Sequence, residues 1–188
     1  MSLQIPMRFE NELLLWLVEN VYTKEECDRF IEFIERSSPN LATNNPLYRD
    51  QDRVMKDDPE IAEELFRRLY LHLPKQINTL KLVGLNERLR MYRYRVGQKF
   101  EPHMDHWYRP SETQITLLTV LIYFNDDFEG GETRFQEQIE QTIIPKCGMV
   151  AIFQHKVRHE GCPVRRGIKY AMRSDVIYEA CEPISKVG

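Results

Sequence analysis

Phe100-Glu-Pro-His103-Met-Asp105-His-Trp-Tyr108 is the stretch on which the reading of this chain turns. It sets a histidine and an aspartate two residues apart, after a turn-forming proline and between aromatic residues. In an extended strand side chains alternate faces, so His103 and Asp105 are expected to point the same way. An imidazole nitrogen and a carboxylate oxygen then reach one point in space, which is the beginning of a metal site. A third ligand has to come from elsewhere. The segment His155-Lys-Val-Arg-His159-Glu-Gly-Cys162 offers two candidates, His155 and His159. Two histidines and one carboxylate on one face of a metal leave coordination positions open, an arrangement that suits Fe(II). His155, His159 and Cys162 could also imitate a zinc site, but no second cluster completes four structural ligands.

The bulk composition restricts the rest. At 188 residues, 42% hydrophobic and 29% charged, the chain is ordinary for one soluble globular domain over 1–188. A net charge of −3 gives no electrostatic reason to expect nucleic acid. No apolar run approaches the roughly 20 residues that cross a bilayer. No signal-peptide layout is read at the start, so a cytoplasmic protein is expected. The cysteines at 27, 147, 162 and 181 are widely spread and are expected to be free thiols. Nothing in the sequence speaks to oligomeric state.

Taken in order, residues 12–22 read as a buried strand. Thr23-Lys-Glu-Glu26 is a capping box that starts a helix with Cys27, Phe30, Ile31 and Ile34 on one face. Residues 39–57 are polar and turn-rich and read as a long loop, in which Arg49 and Arg53 are either solvated charges or groups facing a substrate. Asp58 caps a second helix with Pro59 in its first turn, and Ile61, Leu65, Leu69 and Leu73 keep helical spacing. His72 near its end reads as a surface or capping residue.

From Leu89 the period changes to that of a strand, with Arg90, Tyr92 and Tyr94 on one face and Leu89, Met91 and Arg93 on the other. Residues 115–124 are the strongest strand in the sequence. The acidic run after Asn125 lacks the alternating oxygen pattern of a calcium loop. Strands follow at 138–144, 149–153 and 169–178. Many short strands behind two helices predict a mainly β, α+β domain: a sandwich or jelly roll with N-terminal packing helices.

The motifs then arrive in a recognisable order: Tyr94-x-x-Gly97-Gln98, Pro102-His103-x-Asp105, Thr119-Val-Leu-Ile-Tyr123-x-Asn125 and Glu129-Gly-Gly-Glu-Thr133. Pro145-x-x-Gly148 and His159-x-Gly-x-Pro-Val-x-x-Gly-x-Lys169 complete it. Over residues 89–178 this resembles the prolyl 4-hydroxylase-like branch of the Fe(II)- and 2-oxoglutarate-dependent dioxygenases. The resemblance implies a double-stranded β-helix, a cupin-like jelly roll with iron at its mouth. It implies His103, Asp105 and His159 as metal ligands, which favours His159 over His155. It implies Lys169 as the group gripping the far carboxylate of 2-oxoglutarate, with Tyr94 and Tyr123, and more weakly Thr119 and Thr133, lining that pocket. Arg173 shares a strand face with Lys169, so it is an alternative anchor unless it pairs internally with Asp175.

Fe(II), 2-oxoglutarate and dioxygen, with ascorbate as reductant, are the implied cofactors and co-substrates. The implied reaction is hydroxylation of an unactivated C–H bond in a peptide, with a peptidyl proline foremost, or in a small molecule. Succinate and CO2 are released. Two other readings keep the fold: a binding jelly roll without catalysis, and a zinc hydrolase on the same ligands. The loops 39–57 and 104–114 are where specificity is expected.

Overall fold

The computed structural model describes residues 15–42, 45 and 47–182. Along the chain lie β1 (Leu15–Val18), α1 (Lys24–Arg36), β2 (Asn40–Leu41), β3 (Asp52–Asp57), α2 (Pro59–Leu69), β4 (Gln76–Ile77) and β5 (Leu80–Leu85). Then come β6 (Arg88–Tyr94), β7 (Phe100–His103), β8 (Gln114–Tyr123), β9 (Glu129–Gly130), β10 (Thr133–Gln136) and β11 (Gln141–Ile143). The last are β12 (Val150–Gln154), β13 (Arg158–Gly161), β14 (Val164–Arg166) and β15 (Lys169–Glu179).

Both helices begin at the caps read from sequence. The Thr23 hydroxyl accepts from the Glu26 N–H, and the Glu26 carboxylate accepts from the Thr23 N–H at 2.8 Å. Asp58 accepts from the Ile61 N–H at 3.0 Å, with Pro59 in the first turn, where a missing N–H costs nothing. Cys27, Ile34, Leu65 and Leu69 then bury completely against the outer face of a large sheet, meeting Leu89, Met91, Val120, Ile122 and Met172.

That sheet orders β1, β12, β8, β15, β6, β3 and β2, with β5 against the far half of β15 and β4 beyond it. A smaller sheet orders β11, β10, β13 and β7. A second core joins the two sheets: Tyr123, Phe153 and Ala171 of the large sheet bury with Phe135 and Ile143 of the small one. The architecture is the expected jelly roll with packing helices, and the space between the sheets is where β6, β8 and β15 turn their inner faces.

Several boundaries differ from expectation. The first strand covers only 15–18, with Val21 and Tyr22 held instead by bonds to the Gly148 carbonyl; residues 12–14 lie outside the described residues. Within the supposed loop 39–57, residues 40–41 and 52–57 are strand, while residues 43, 44 and 46 lie outside the described residues. β3 is polar because its acids pair with the next strand: Asp52 with Arg93 and Arg95, Asp57 with Arg88. Polarity that looks like a loop in sequence is here cross-strand charge pairing. The strand expected at 138–144 shortens to 141–143, and β5 escaped notice because its partner β15 lies far along the chain.

Gly148 carries the turn before β12 at φ 75°, and a Cβ there would meet the Tyr22 carbonyl oxygen at 2.0 Å. At Gly97, φ 85°, a Cβ would meet nothing within 4 Å. Gly97→Ala is expected to cost only the left-handed backbone penalty, about 1–2 kcal/mol. Gly148→Ala adds a clash that separates the turn from the β1–α1 connection, so its urea midpoint should fall further. Equal midpoints for the two variants would show that the Tyr22 contact is dispensable.

Candidate metal centre and its cleft

His103 ends β7 and His159 lies directly opposite it on β13. Asp105 falls beyond the strand, contrary to the alternation expected from sequence. A loop places it instead, with its N–H donating to the His155 carbonyl at 2.7 Å. The three side chains nevertheless converge, each offering a ligand atom within 4.8 Å of the others. Nε2 of His103 is 3.9 Å from one Asp105 oxygen, and Nε2 of His159 is 3.8 Å from the other.

The opposite edges of the two rings fix their protons. Nδ1 of His103 meets the Glu101 carbonyl at 2.8 Å, and Nδ1 of His159 meets the Val157 carbonyl at 2.9 Å. A carbonyl only accepts, so both rings carry hydrogen on Nδ1 and turn a bare Nε2 toward Asp105. Metal-ligating histidines are held in this way. Phe100 stacks on His103 at 3.5 Å between centroids, and Phe153 packs against His159 at 4.6 Å. Burial, with His159 close by, pushes the His103 pKa down to about 4, and burial lowers that of His159 as well. Both are neutral near neutral pH, the form that binds a metal.

Asp105 is the buried charge that these rings face. Burial alone would raise its pKa, but Arg173 and then the surrounding histidines hold it below the usual carboxylate range. Arg173 pairs with one carboxylate oxygen, and the Thr119 hydroxyl donates to the other at 2.5 Å. That hydroxyl has only one proton, so His155 Nδ1, 2.8 Å from it, donates to Thr119. His155 Nε2 then accepts from the Thr116 hydroxyl at 3.1 Å. Burial pushes the His155 pKa down to about 4, which matches this neutral ring. With both nitrogens committed, His155 supports Asp105 through Thr119 and stands outside the ligand cluster.

Tyr94, Thr119, Thr133, Lys169 and Arg173 line one cleft with the three candidate ligands. Tyr123 lies beneath it, its hydroxyl donating to Thr133 at 2.7 Å. Lys169 opens β15 opposite Tyr94, only 3% exposed. Its ammonium donates to the Gly131 carbonyl at 2.7 Å and sits 5.2 and 5.3 Å from the Tyr94 and Tyr123 ring centres. No carboxylate among the described residues pairs with it, and burial lowers its pKa to about 8. Arg173, by contrast, already has its charge matched by Asp105 and by Asp175 at 2.8 Å.

His106 is exposed beside the site. Tyr92, Phe100, Phe153 and Glu160 also line the cleft and received no role from sequence. Tyr92 was legible, since it shares the inner strand face with Tyr94. Phe153 was not, because β12 is buried on both faces.

His159→Ala is expected to abolish Fe(II) binding. His155→Ala and Thr119→Val should keep a site weakened by about 10–100-fold, as loss of ligand-orienting groups does. Anaerobic Fe(II) titration of the three variants checks this. Complete loss in His155→Ala with binding intact in His159→Ala would reverse the assignment.

The family model described as 2OG-Fe(II) oxygenase superfamily matches residues 89–174. Among curated proteins the chain is similar to "Probable prolyl 4-hydroxylase 11" of Arabidopsis thaliana, 29% identical over 119 residues, 61% of this chain and 41% of that protein. The chain spans under half the length of that relative and of the next, 41% and 47%. Among solved structures, the viral collagen prolyl hydroxylase of Paramecium Bursaria Chlorella virus-1, as its 2OG complex, superimposes with a TM-score of 0.69 at 20% identity, covering 89% of this chain and 97% of that one. A Trichoplax adhaerens prolyl hydroxylase in complex with a hypoxia inducible factor peptide gives 0.66 at 16% identity, covering 87% and 83%. Residues 89–174, which carry all three candidate ligands and Lys169, therefore match the family model of the 2OG-Fe(II) oxygenase superfamily, and the chain is similar to the prolyl 4-hydroxylases.

Proposed function

We propose that the chain is an Fe(II)- and 2-oxoglutarate-dependent dioxygenase hydroxylating an unactivated C–H bond, with residues 1–188 acting as one catalytic domain. One observation carries this reading. Three candidate ligands and a buried lysine with no carboxylate partner among the described residues line the same cleft. When bound, Fe(II) supplies with dioxygen and 2-oxoglutarate the oxidation that turns a substrate C–H into C–OH, as the 2-oxo acid leaves as succinate and CO2.

The protein's own part is positioning. His103, Asp105 and His159 would hold the metal, their geometry fixed by two backbone carbonyls, Thr119 and Arg173. Lys169 would pair with the distal carboxylate of the 2-oxo acid, and the Tyr94 and Tyr123 rings would wall that carboxylate off from water. Thr133 holds the Tyr123 hydroxyl in place. Arg173 is already paired with Asp105 and Asp175, which favours Lys169 as the anchor. A peptidyl proline is the substrate favoured by the named relatives, with a small molecule as the alternative. A cytoplasmic setting fits the four free thiols, and ascorbate as reductant completes the proposal.

Succinate release from 2-oxoglutarate in the presence of Fe(II) and air, against proline peptides and small molecules, tests the reaction. Activity with Zn(II) and no succinate would favour a hydrolase, and metal binding with no turnover a binding module.

Lys169→Ala should raise the 2-oxoglutarate requirement strongly with Fe(II) still bound, since removing one partner of a buried charge pair costs about 2–5 kcal/mol. An unchanged requirement, with a large loss in Arg173→Ala and Fe(II) retained, would move the anchor to Arg173. The lowered pKa of Lys169 also gives a pH dependence. An arriving dicarboxylate raises that pKa, so binding takes up a proton above about 8. Affinity for 2-oxoglutarate is therefore full below pH of about 8 and declines as pH rises through it. Calorimetry in buffers of different ionisation enthalpy reads the uptake; its absence at pH 9 would remove Lys169 from the contact.

A further inference from the structure

The inner face of the large sheet does not end at the metal. β6 passes Arg90, Tyr92 and Tyr94 across it, and register places Arg53 of β3 beside Tyr92. Cross-strand neighbours share a face, so Arg53 extends that inner surface. Just before β3, residues 48–50 run along β7. The Glu101 N–H donates to the Tyr48 carbonyl at 2.9 Å, and Arg49 bridges Phe100. This segment joins the two sheets at one side of the cleft.

Arg49 lies on that wall with its guanidinium 4.5 Å from the centre of Phe100 and 5.5 Å from that of Tyr92. Phe100 is the ring stacked on the candidate ligand His103. The Nε and Nη2 atoms of Arg49 are buried without a hydrogen-bond partner. These two nitrogens share one edge of the guanidinium, the edge that receives both oxygens of a carboxylate side-on. Arg53 has no carboxylate partner among the described residues, and burial and Arg49 lower its pKa. Gln51, wholly buried between them in sequence, leaves both side-chain polar atoms unmatched. Elsewhere on this sheet the arginines are matched: Arg90 and Arg173 to Asp175, Arg93 and Arg95 to Asp52. Unmatched cationic and polar groups therefore gather on one wall, a ring's thickness from the metal site.

Buried donors without acceptors are costly, and a guanidinium edge without an anion is costlier. We infer that the substrate carries a carboxylate, and that Arg49 and Arg53 receive it so that a neighbouring C–H bond faces the metal. This rests on the oxygenase reading above and narrows its substrate to an acidic compound. The source of the carboxylate is either an acidic side chain flanking the reacting residue of a peptide or a free amino or organic acid.

Two probe pairs separate these sources: acetyl-Glu-Pro-Glu-amide against acetyl-Gln-Pro-Gln-amide, and L-proline against L-prolinamide. Calorimetry on the full chain loaded with Mn(II), which permits binding without turnover, reads each pair with and without 2-oxoglutarate. A chain that fails to bind the 2-oxo acid therefore still reports on this wall. In at least one pair the acidic member should bind about tenfold or more tightly than the neutral one. The pair that shows it names the source. Arg49→Gln with Arg53→Gln should bring that ratio to near unity while the melting temperature stays close to wild type, with Arg53→Gln alone as the variant to use if the double one does not fold. Arg49→Lys keeps the charge but loses the two-donor edge, so it should fall between. No preference in either pair, an absence of binding included, overturns the inference. A preference surviving in the variants also overturns it, as does a variant that weakens 2-oxoglutarate instead, which would assign the guanidinium to the co-substrate.

Discussion

An ionised carboxylate at 3% exposure persists in a protein only where its charge and its oxygens are matched, and Asp105 is held in that condition. One oxygen is paired by Arg173, the other takes the Thr119 proton, and two neutral imidazoles turn bare nitrogens toward it. Each partner is itself tied down. Arg173 is held by Asp175, which is held by Arg90; Thr119 is held by His155, which is held by Thr116. The network reaches across β6, β8, β15 and the segment after β12, so strand register and metal geometry depend on each other.

The two sheets divide the work. The small sheet brings His103 and His159 side by side on β7 and β13 and fixes their tautomers through its own backbone. The large sheet supplies the charges that surround the site, Arg173 near the carboxylate and Lys169 at the start of the same strand. The helices never enter the cleft. By burying Leu89, Met91 and Met172 on the outer face, they leave Tyr92, Tyr94 and Ala171 free to face inward.

Charge is distributed unevenly over that inner face. Arginines far from the opening are neutralised by acids of the same chain, whereas the Lys169 ammonium and the Nε–Nη2 edge of Arg49 are buried near aromatic rings with no paired carboxylate among the described residues. Buried cations left unpaired in this way carry a cost in stability that an incoming anion would offset.

The local code was carried by the sequence itself. Thr23 with Glu26 and Asp58 with Ile61 are legible as helix starts without the fold, because a cap joins residues three apart. Likewise the alternation over 89–94 and 115–123 follows from strand geometry alone. The ordered motifs from Tyr94 to Lys169 were legible for the same reason, each being a short run of neighbours.

Only the folded chain decided what depends on distant partners. β3 is a strand because Asp52 and Asp57 find arginines on β6, and β5 because β15 lies beside it. Asp105 reaches the two histidines of the candidate metal site through a bond to the His155 backbone rather than by strand alternation. The grouping of His159 rather than His155 with His103 and Asp105, the pairing of Arg173 with Asp105 and the open edge of Arg49 depend on which groups meet across tens of residues. One-dimensional periodicity does not encode those meetings. They exist only once the two sheets are packed together and water has been excluded from between them.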